Sequence, residues 1–243
     1  ISKFFLFQKF LNFPSNDVCL SFFSPSPYTS SMPKIMLSLF DYSGNSALPW
    51  ASAGYICYLV DIQHPPGINA HLSILNTYTI GADLSTPIDF PFPLASVAFV
   101  SAFPPCTHLA TSGARWFKGK GLRALAESIE LFATAAEICE STPAPYYIEN
   151  PVSTISTYWR APDYIFSPHE FVKYHFADNY SKTTCLWAGN NFIMPKGEII
   201  EGMLLSNKLK DASHSPNRAN LRSRTPLGFS RAVFEVNHKN GLP

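Results

Sequence analysis

The chain has 243 residues, enough for one large or two small domains, and 46% of them are apolar, which allows a sizeable core. No apolar run reaches membrane-spanning length. The five cysteines (Cys19, Cys57, Cys106, Cys139, Cys185) are odd in number and lack a Cys-x-x-Cys spacing, which argues against a disulfide framework or a structural zinc and for a reducing compartment. Formal charge is only +1, yet the segment from Ser206 onward carries +5 and the remainder −4, a distribution that suits contact with a polyanion.

Residues 1–31 are rich in Phe, Ser and Pro and show neither a period of 2 nor of 3.6. An ordered pattern begins just after Met32, so translation is expected to start there, with 1–31 a non-native or poorly ordered extension. A signal peptide is the weaker rival, because its apolar run is broken by Gln8 and Lys9. Ile35–Phe40 reads as a first strand, ending in the turn Asp41-Tyr42-Ser43-Gly44-Asn45. Ser46 is placed to cap a helix running through Ala53, with Pro49 in its first turn and Gly54 at its end. Tyr55–Val60 is a second strand and stops at Asp61. Strand, turn, helix, glycine, strand and acid in that order describe a mononucleotide-binding βαβ unit, with backbone N–H groups at the first turn and a ribose-binding carboxylate after the second strand.

Residues 62–93 are rich in Pro and polar groups, with Asp83 near a strand end. Leu94–Val100 reads as a buried strand, followed by Phe103-Pro104-Pro105-Cys106-Thr107-His108. Gly121–Glu140 is the clearest helix, with Leu122, Leu125, Ala126, Ile129, Phe132, Ala133 and Ala136 on one face; Pro143 and Pro145 stop it. The strand Tyr146-Tyr147-Ile148 then leads to Glu149-Asn150-Pro151. Thr183–Ala188 reads as a strand, Asn190-Asn191 as a turn and Asn191–Met194 as its hairpin partner. Residues 195–224 read as loop or extended chain. Thr225-Pro226 opens a last helix with Phe229, Ala232, Val233 and Val236 on its apolar face. No internal repeat is evident.

The chemistry sits at the strand ends. A lone cysteine is commonly a small core residue, but Cys106 follows a proline pair that fixes φ and ends a ladder, so the thiol is held at the sheet edge where α/β proteins bind ligands. Ser112–Arg115 suggests a mobile loop. His108 and Arg115 are the nearby cations that would favour a thiolate. Glu149 is a carboxylate at a strand terminus, where desolvation suits proton sharing, and Asn150 is placed to orient it. Asp163, Glu170 and Asp178 read as surface groups. His64, His71, His169 and His175 show no metal-ligand spacing.

In this order the segments resemble the DNA (cytosine-5) methyltransferases, most nearly the short phage-type DNA methylases, over residues 34–237. Phe40-Asp41-Tyr42-Ser43-Gly44 is similar to the family's cofactor turn, with Tyr42 in place of a glycine. Pro-Pro-Cys and Glu-Asn match at Pro104–Cys106 and Glu149–Asn150. The resemblance implies a Rossmann-like α/β methyltransferase fold, mostly parallel, with helices on both faces. A catalytic domain would span 32–188, a reduced recognition region 189–224 and a returning C-terminal helix 225–243. It implies S-adenosyl-L-methionine held by Phe40, Ser43, Gly44, Asp61 (ribose), Ile62, Asp83 (adenine) and Pro104. Tyr180–Thr184 occupies the place of an arginine-bearing motif, with Lys182 and Thr184 where arginines are expected, and Arg222–Val236 would complete the cofactor pocket.

What the resemblance implies chemically is methylation of cytosine C5 in double-stranded DNA. Cys106 would add to C6 of a base flipped from the stack, with Glu149 bonding N3 and the exocyclic amine. A loop over Thr107–Gly121 would close on that base. Arg115, Lys118, Lys120, Lys182, Arg222 and Arg224 would meet phosphates. The implied protein is an intracellular, cytoplasmic monomer, phage-encoded in a bacterial host, without metal or membrane. Two other readings stay open: a tRNA-type RNA methylase, which a short recognition region would suit, and a catalytically degenerate nucleic-acid-binding protein. A thiol hydrolase using Cys106 and His108 is remote, because no orienting acid is evident.

Overall fold

The computed structural model describes residues 34–207 and 218–238. The expectation for residues 1–31 lies outside them. One eight-stranded sheet runs through the described residues. Its strands are β1 (Ile35–Leu39), β2 (Ile56–Val60), β3 (Gly67–Ala70), β4 (Thr77–Gly81), β5 (Val97–Ala102), β6 (Tyr146–Asn150), β7 (Tyr164–Phe166) and β8 (Thr184–Gly189). Their order is β3-β4-β2-β1-β5-β6-β8-β7. The five strands β4, β2, β1, β5 and β6 are parallel; β3, on one side, and β8, on the other, run antiparallel to their neighbours. This is the mostly parallel α/β architecture expected, a mixed sheet compatible with a Rossmann-like fold.

The central strands form where they do because they are buried on both faces, so their sequences are almost continuously apolar. Alternation still sorts the side chains. On β1, Leu37 and Leu39 join Val100, Ile148 and Phe132 on one face, whereas Met36 joins Leu59, Phe99 and Tyr147 on the other. The first face is covered by helix α2 (Phe117–Glu140). The second is covered by α1 (Leu48–Ser52) and the C-terminal helix α5 (Leu227–Asn237), through stacks of Trp50 on Phe99 at 4.4 Å and Phe166 on Phe229 at 4.0 Å. Two further short helices among the described residues are α3 (Ile155–Tyr158) and α4 (Arg218–Ser223).

The chain moves outward from β1 through β2 to β4, then crosses back to β5 and continues to β6. The direction of winding therefore reverses between β1 and β5, and the crevice at their carboxyl ends is where such sheets bind ligands.

Several expectations are corrected. Leu94–Ser96 is a 3-10 turn, and the strand before the cysteine is β5, which carries on to Ala102. Glu149 and Asn150 belong to β6 itself, where antiparallel pairing with Leu186 and Cys185 of β8 extends the ladder past Ile148. The buried stripe of α2 is rotated from the expected one. Ser128, Phe132, Ala135, Ala136 and Cys139 face the sheet, and Leu122 is 83% exposed, as Ala126 and Ala133 are also exposed. Small residues let the helix lie close to β5 and β6, and Gly121 (φ 81°, ψ 172°) interrupts the helix, so Leu122 starts a new phase. The partner of β8 is β7. Asn191–Met194 is instead held by α5, with Ile193 N–H donating to Asn237 Oδ1 at 2.9 Å, although Asn190 and Asn191 do form the turn, both at positive φ. Helix α4 lies within the stretch expected to be loop. Neither Ser46 nor Thr225 caps a helix by its side chain. Asp178 is buried and accepts from Gly228 N–H at 2.6 Å, so it is no surface group.

Gly228 brings the start of α5 against the backbone of Phe171, and a Cβ there would collide with the Phe171 carbonyl oxygen. Neither partner is a flexible side-chain end, so the helix must shift. Gly228→Ala is expected to lower stability by about 2 kcal/mol, read as a lower urea midpoint at unchanged slope.

Candidate active site

The turn after β1 is organised around one carboxylate. Asp41 is 3% exposed. Its Oδ1 accepts from Ser43 N–H at 3.0 Å, Ser43 Oγ at 3.0 Å and Gly44 N–H at 2.8 Å. Its Oδ2 accepts from Ser38 Oγ and Ser46 Oγ, each at 2.8 Å, and Ser101 of β5 joins the same hydroxyl cluster. The turn's N–H groups at Ser43 and Gly44 are therefore taken by the protein itself, contrary to the expectation that they await a ligand. Ser46 belongs to this cluster, which is why it does not cap α1. Phe40, at φ 55°, turns the chain out of the sheet and packs on the α2 face of the core. His64 Nε2 lies 3.1 Å from the Asp41 carbonyl oxygen, with its ring against Tyr42.

Asp61 follows β2 at the neighbouring strand end, mostly buried. Its Oδ1 accepts from the Gln63 N–H at 2.8 Å, and Oδ2 takes no hydrogen bond among the described residues. Beside it Ile62 leaves 68% of its surface in solvent. A carboxylate with a free oxygen next to an exposed aliphatic face suits a ribose and the flat base it carries, so the residues present fit an adenosyl group. Asp83, just past β4, is exposed; the Ser85 N–H and hydroxyl hold its carboxyl below the usual range. The C-terminal segment closes on this edge: Asn45 Nδ2 donates to the Thr225 carbonyl at 2.9 Å, and Asn220 Nδ2 of α4 donates to Gln63 Oε1 at 3.1 Å.

At the ends of β5 and β6 three chemical groups meet. Pro104 is buried, and its carbonyl accepts from Asn150 Nδ2 at 2.9 Å. Asn150 thus fastens the cysteine loop to β6 and does not orient Glu149 as the sequence suggests. Glu149 is instead held by Lys182, with Nζ donating to Oε1 at 3.3 Å and side chains 18% and 13% exposed for Lys182 and Glu149. Lys182 enters from the segment before β8, where Thr184 Oγ1 donates to the Lys182 carbonyl at 3.0 Å. Cys106 is partly buried within the field of this pair. Desolvation raises its pKa most, the Glu149 charge raises it further, and Lys182 and Arg222 pull it back. The expected helpers, His108 and Arg115, are not among these causes. Sequence reasoning missed both the Lys182–Glu149 pair and Asp41. The second had a legible signal, an Asp two residues before Ser-Gly at a strand end; for the first, only the family resemblance, which sets Lys182 in the place of an active-site arginine, pointed towards Glu149, and local spacing gave nothing.

The other cations expected at phosphates are spread around the mouth. Arg115 lies over the Trp116 ring at 5.0 Å, and Lys118 is exposed. Lys120 Nζ donates to the Thr107 carbonyl at 2.6 Å, Arg222 and Arg224 are exposed, and Lys182 is occupied by Glu149. Residues Thr111–Trp116 form a 3-10 helix rather than an open loop. Among the described residues no cluster of His, Cys, Asp or Glu could hold a metal, and no helix is long and apolar enough to cross a membrane. No protein-family model and no curated protein matches the chain.

Two outcomes follow from this geometry. Asp41→Ala leaves five donors, three of them buried, without their acceptor and is expected to cost about 3 kcal/mol of stability, measured by urea unfolding. The Cys106 thiol should alkylate slowly at neutral pH, its rate rising only above the pH of an ordinary cysteine. Glu149→Gln, which removes the charge that opposes the thiolate, should shift that profile to lower pH, and Lys182→Met should shift it to higher pH. Site-resolved iodoacetamide kinetics by mass spectrometry checks both directions.

Proposed function

We propose that this chain transfers a methyl group from S-adenosyl-L-methionine to C5 of cytosine in DNA. The observation that carries the proposal is the meeting of Cys106 and the Lys182–Glu149 pair at the ends of adjacent parallel strands, at the same sheet edge as Asp61 and the Asp41 turn. A nucleophile, a proton-sharing carboxylate and an adenosyl-compatible acid on one edge suit transfer between two bound molecules.

When bound, S-adenosylmethionine supplies a methyl group on a sulfonium centre, which departs as a neutral thioether. Asp61 and Ile62 would hold its ribose and base, and Asp83 would meet the adenine edge. The protein's part is to make cytosine C5 nucleophilic. Cys106 gives its proton by way of solvent to Glu149, and its sulfur bonds C6, so the C5–C6 π electrons become available at C5. Glu149, having taken up the thiol proton by way of solvent, donates it to N3 while its other oxygen accepts from the exocyclic amine, which stabilises the base as charge accumulates there. Lys182 holds that carboxylate in place and offsets part of its field at the thiol. Asn150 keeps the Pro104–Cys106 loop fixed while the bond forms. After C5 has gained its methyl group, water takes the C5 proton, the freed pair re-forms the C5–C6 double bond as the C6–S bond breaks to release the thiolate, and N3 returns its proton to Glu149.

The raised pKa of Cys106 fits a thiol kept protonated until substrate engages Glu149. Tyr42 in the turn and the missing arginines, with Lys182 in the place of one, are the departures that motivate a degenerate reading. Its contact with Glu149 favours a working pair over a vestigial one.

The test is methyl transfer from radiolabelled S-adenosylmethionine to mixed-sequence duplex DNA, followed by nucleoside analysis. Label is expected in 5-methylcytosine, absent in Cys106→Ser and reduced about 10²-fold in Lys182→Met, with Lys182→Arg retaining most of it. Label in tRNA but not in DNA overturns the choice of DNA. Cofactor binding without transfer to either overturns the enzymatic reading.

A further inference from the structure

Lys182 reaches Glu149 from a stretch of chain that belongs to no strand. The ladder between β7 and β8 runs from the Tyr164–Leu186 pair to the Phe166–Thr184 pair and stops there. The same register carried further would set Pro168 opposite Lys182, and a proline has no N–H with which to extend a ladder. The backbone of Lys182 is nevertheless satisfied on both sides. Its N–H donates to Ser167 Oγ at 3.0 Å, and its carbonyl accepts from Thr184 Oγ1 at 3.0 Å. Two side-chain hydroxyls thus stand in for the ladder bonds that the proline ends.

Both hydroxyls rest on fixed backbone. Ser167 opens a short 3-10 turn, Pro168–Phe171, and its N–H donates to Glu170 Oε1 at 2.7 Å, the reach-back of a capping box. His169 Nδ1 lies 3.1 Å from the same Ser167 hydroxyl. Thr184 is the first residue of β8 and is buried. The effect of the clamp shows in the alternation around it. Ser181 and Thr183 are exposed, whereas the Lys182 side chain between them turns inward and meets Glu149 Oε1 at 3.3 Å. A lysine carries its charge on a flexible four-carbon stem, and holding that stem in one place costs rotamer entropy. With the backbone held at both polar groups, fewer arrangements are left to search and the ammonium is aimed at one carboxylate.

We infer that Ser167 is a positioning residue of the reacting centre: together with Thr184 it clamps the Lys182 backbone so that the ammonium stays on Glu149. The inference rests on the reading of Cys106 and Glu149 as reacting groups. It gives a share in the chemistry to a residue at the end of β7 that hydrogen-bonds neither the thiol nor the carboxylate.

The test follows iodoacetamide alkylation of Cys106 across pH in the full chain, with methyl transfer to duplex DNA measured in parallel. The variants are Ser167→Ala, Ser167→Thr and Thr184→Val, the first also in the Lys182→Met background, with circular dichroism to check folding. Glu149, Lys182 and Arg222 are the charges that act on the thiol, and of these Lys182 and Arg222 favour the thiolate. A lysine released from its clamp favours it less. The Ser167→Ala profile is therefore expected at higher pH, with alkylation at a fixed pH slowed about fivefold, the equivalent of one hydrogen bond. Ser167→Thr keeps the hydroxyl and should keep the wild-type profile. Thr184→Val, a near-isosteric loss of the other hydroxyl, should shift the profile in the same direction as Ser167→Ala, and it carries the test where Ser167→Ala does not fold. In Lys182→Met the Ser167→Ala change should add no further shift. Profiles like the wild type in Ser167→Ala and Thr184→Val overturn the clamp. An equal shift with and without Lys182 also overturns it, because a merely loosened fold acts without the lysine. Methyl transfer by the wild type with either of those results leaves the methyltransferase reading standing. No methyl transfer, with the expected profiles, overturns that reading and keeps the clamp.

Discussion

The Asp41 carboxylate is the interaction on which the functional edge of this fold depends. It is buried at the point where the sheet reverses its winding, and it gathers donors from β1, the following turn, the approach to α1 and, through the shared hydroxyl cluster, β5. A carboxylate at such depth is tolerated only when its oxygens are fully engaged. Here the engagement sets the conformation of the loop. Ser43 and Gly44 are held by this carboxylate, and Phe40 and Gly44 on either side of it take positive φ.

From that anchor the remaining parts are placed by strand pairing. Parallel registers of β1 with β2 and β5, and of β5 with β6, bring Asp61, Cys106 and Glu149 to one edge although they are distant in sequence. The antiparallel strand β8 contributes from the opposite direction, so that the residues preceding it, Lys182 among them, arrive at that edge as well. The result is a thiol between a carboxylate that opposes its ionisation and cations that favour it.

The C-terminal helices tie the two parts of this edge together. Helix α5 fills the sheet face beneath Phe99 and Tyr147, and the strand of chain before it donates and accepts at the Asp41 turn and the loop after Asp61. Arg222 of α4 also contributes to the field at Cys106. Packing at one end of the chain is thereby coupled to both the adenosyl-compatible crevice and the thiol.

The sequence by itself determined the central strands, the cysteine and glutamate positions and the order of the βαβ units. Strands buried on both faces leave near-continuous apolar runs, and Asp61 and Pro104-Pro105 mark where two of them stop. It did not reveal β3 and β7, short edge strands whose residues are mostly exposed, nor the phase of α2, because Gly121 resets the helix and small residues decide which side approaches the sheet. Only the tertiary structure decided the partners of the charged groups. Lys182 meets Glu149, Asn150 meets Pro104, and Asp178 meets Gly228 across separations of 33, 46 and 50 residues. Local periodicity carries no information at that range, because register and burial, not spacing, select which polar groups must satisfy one another.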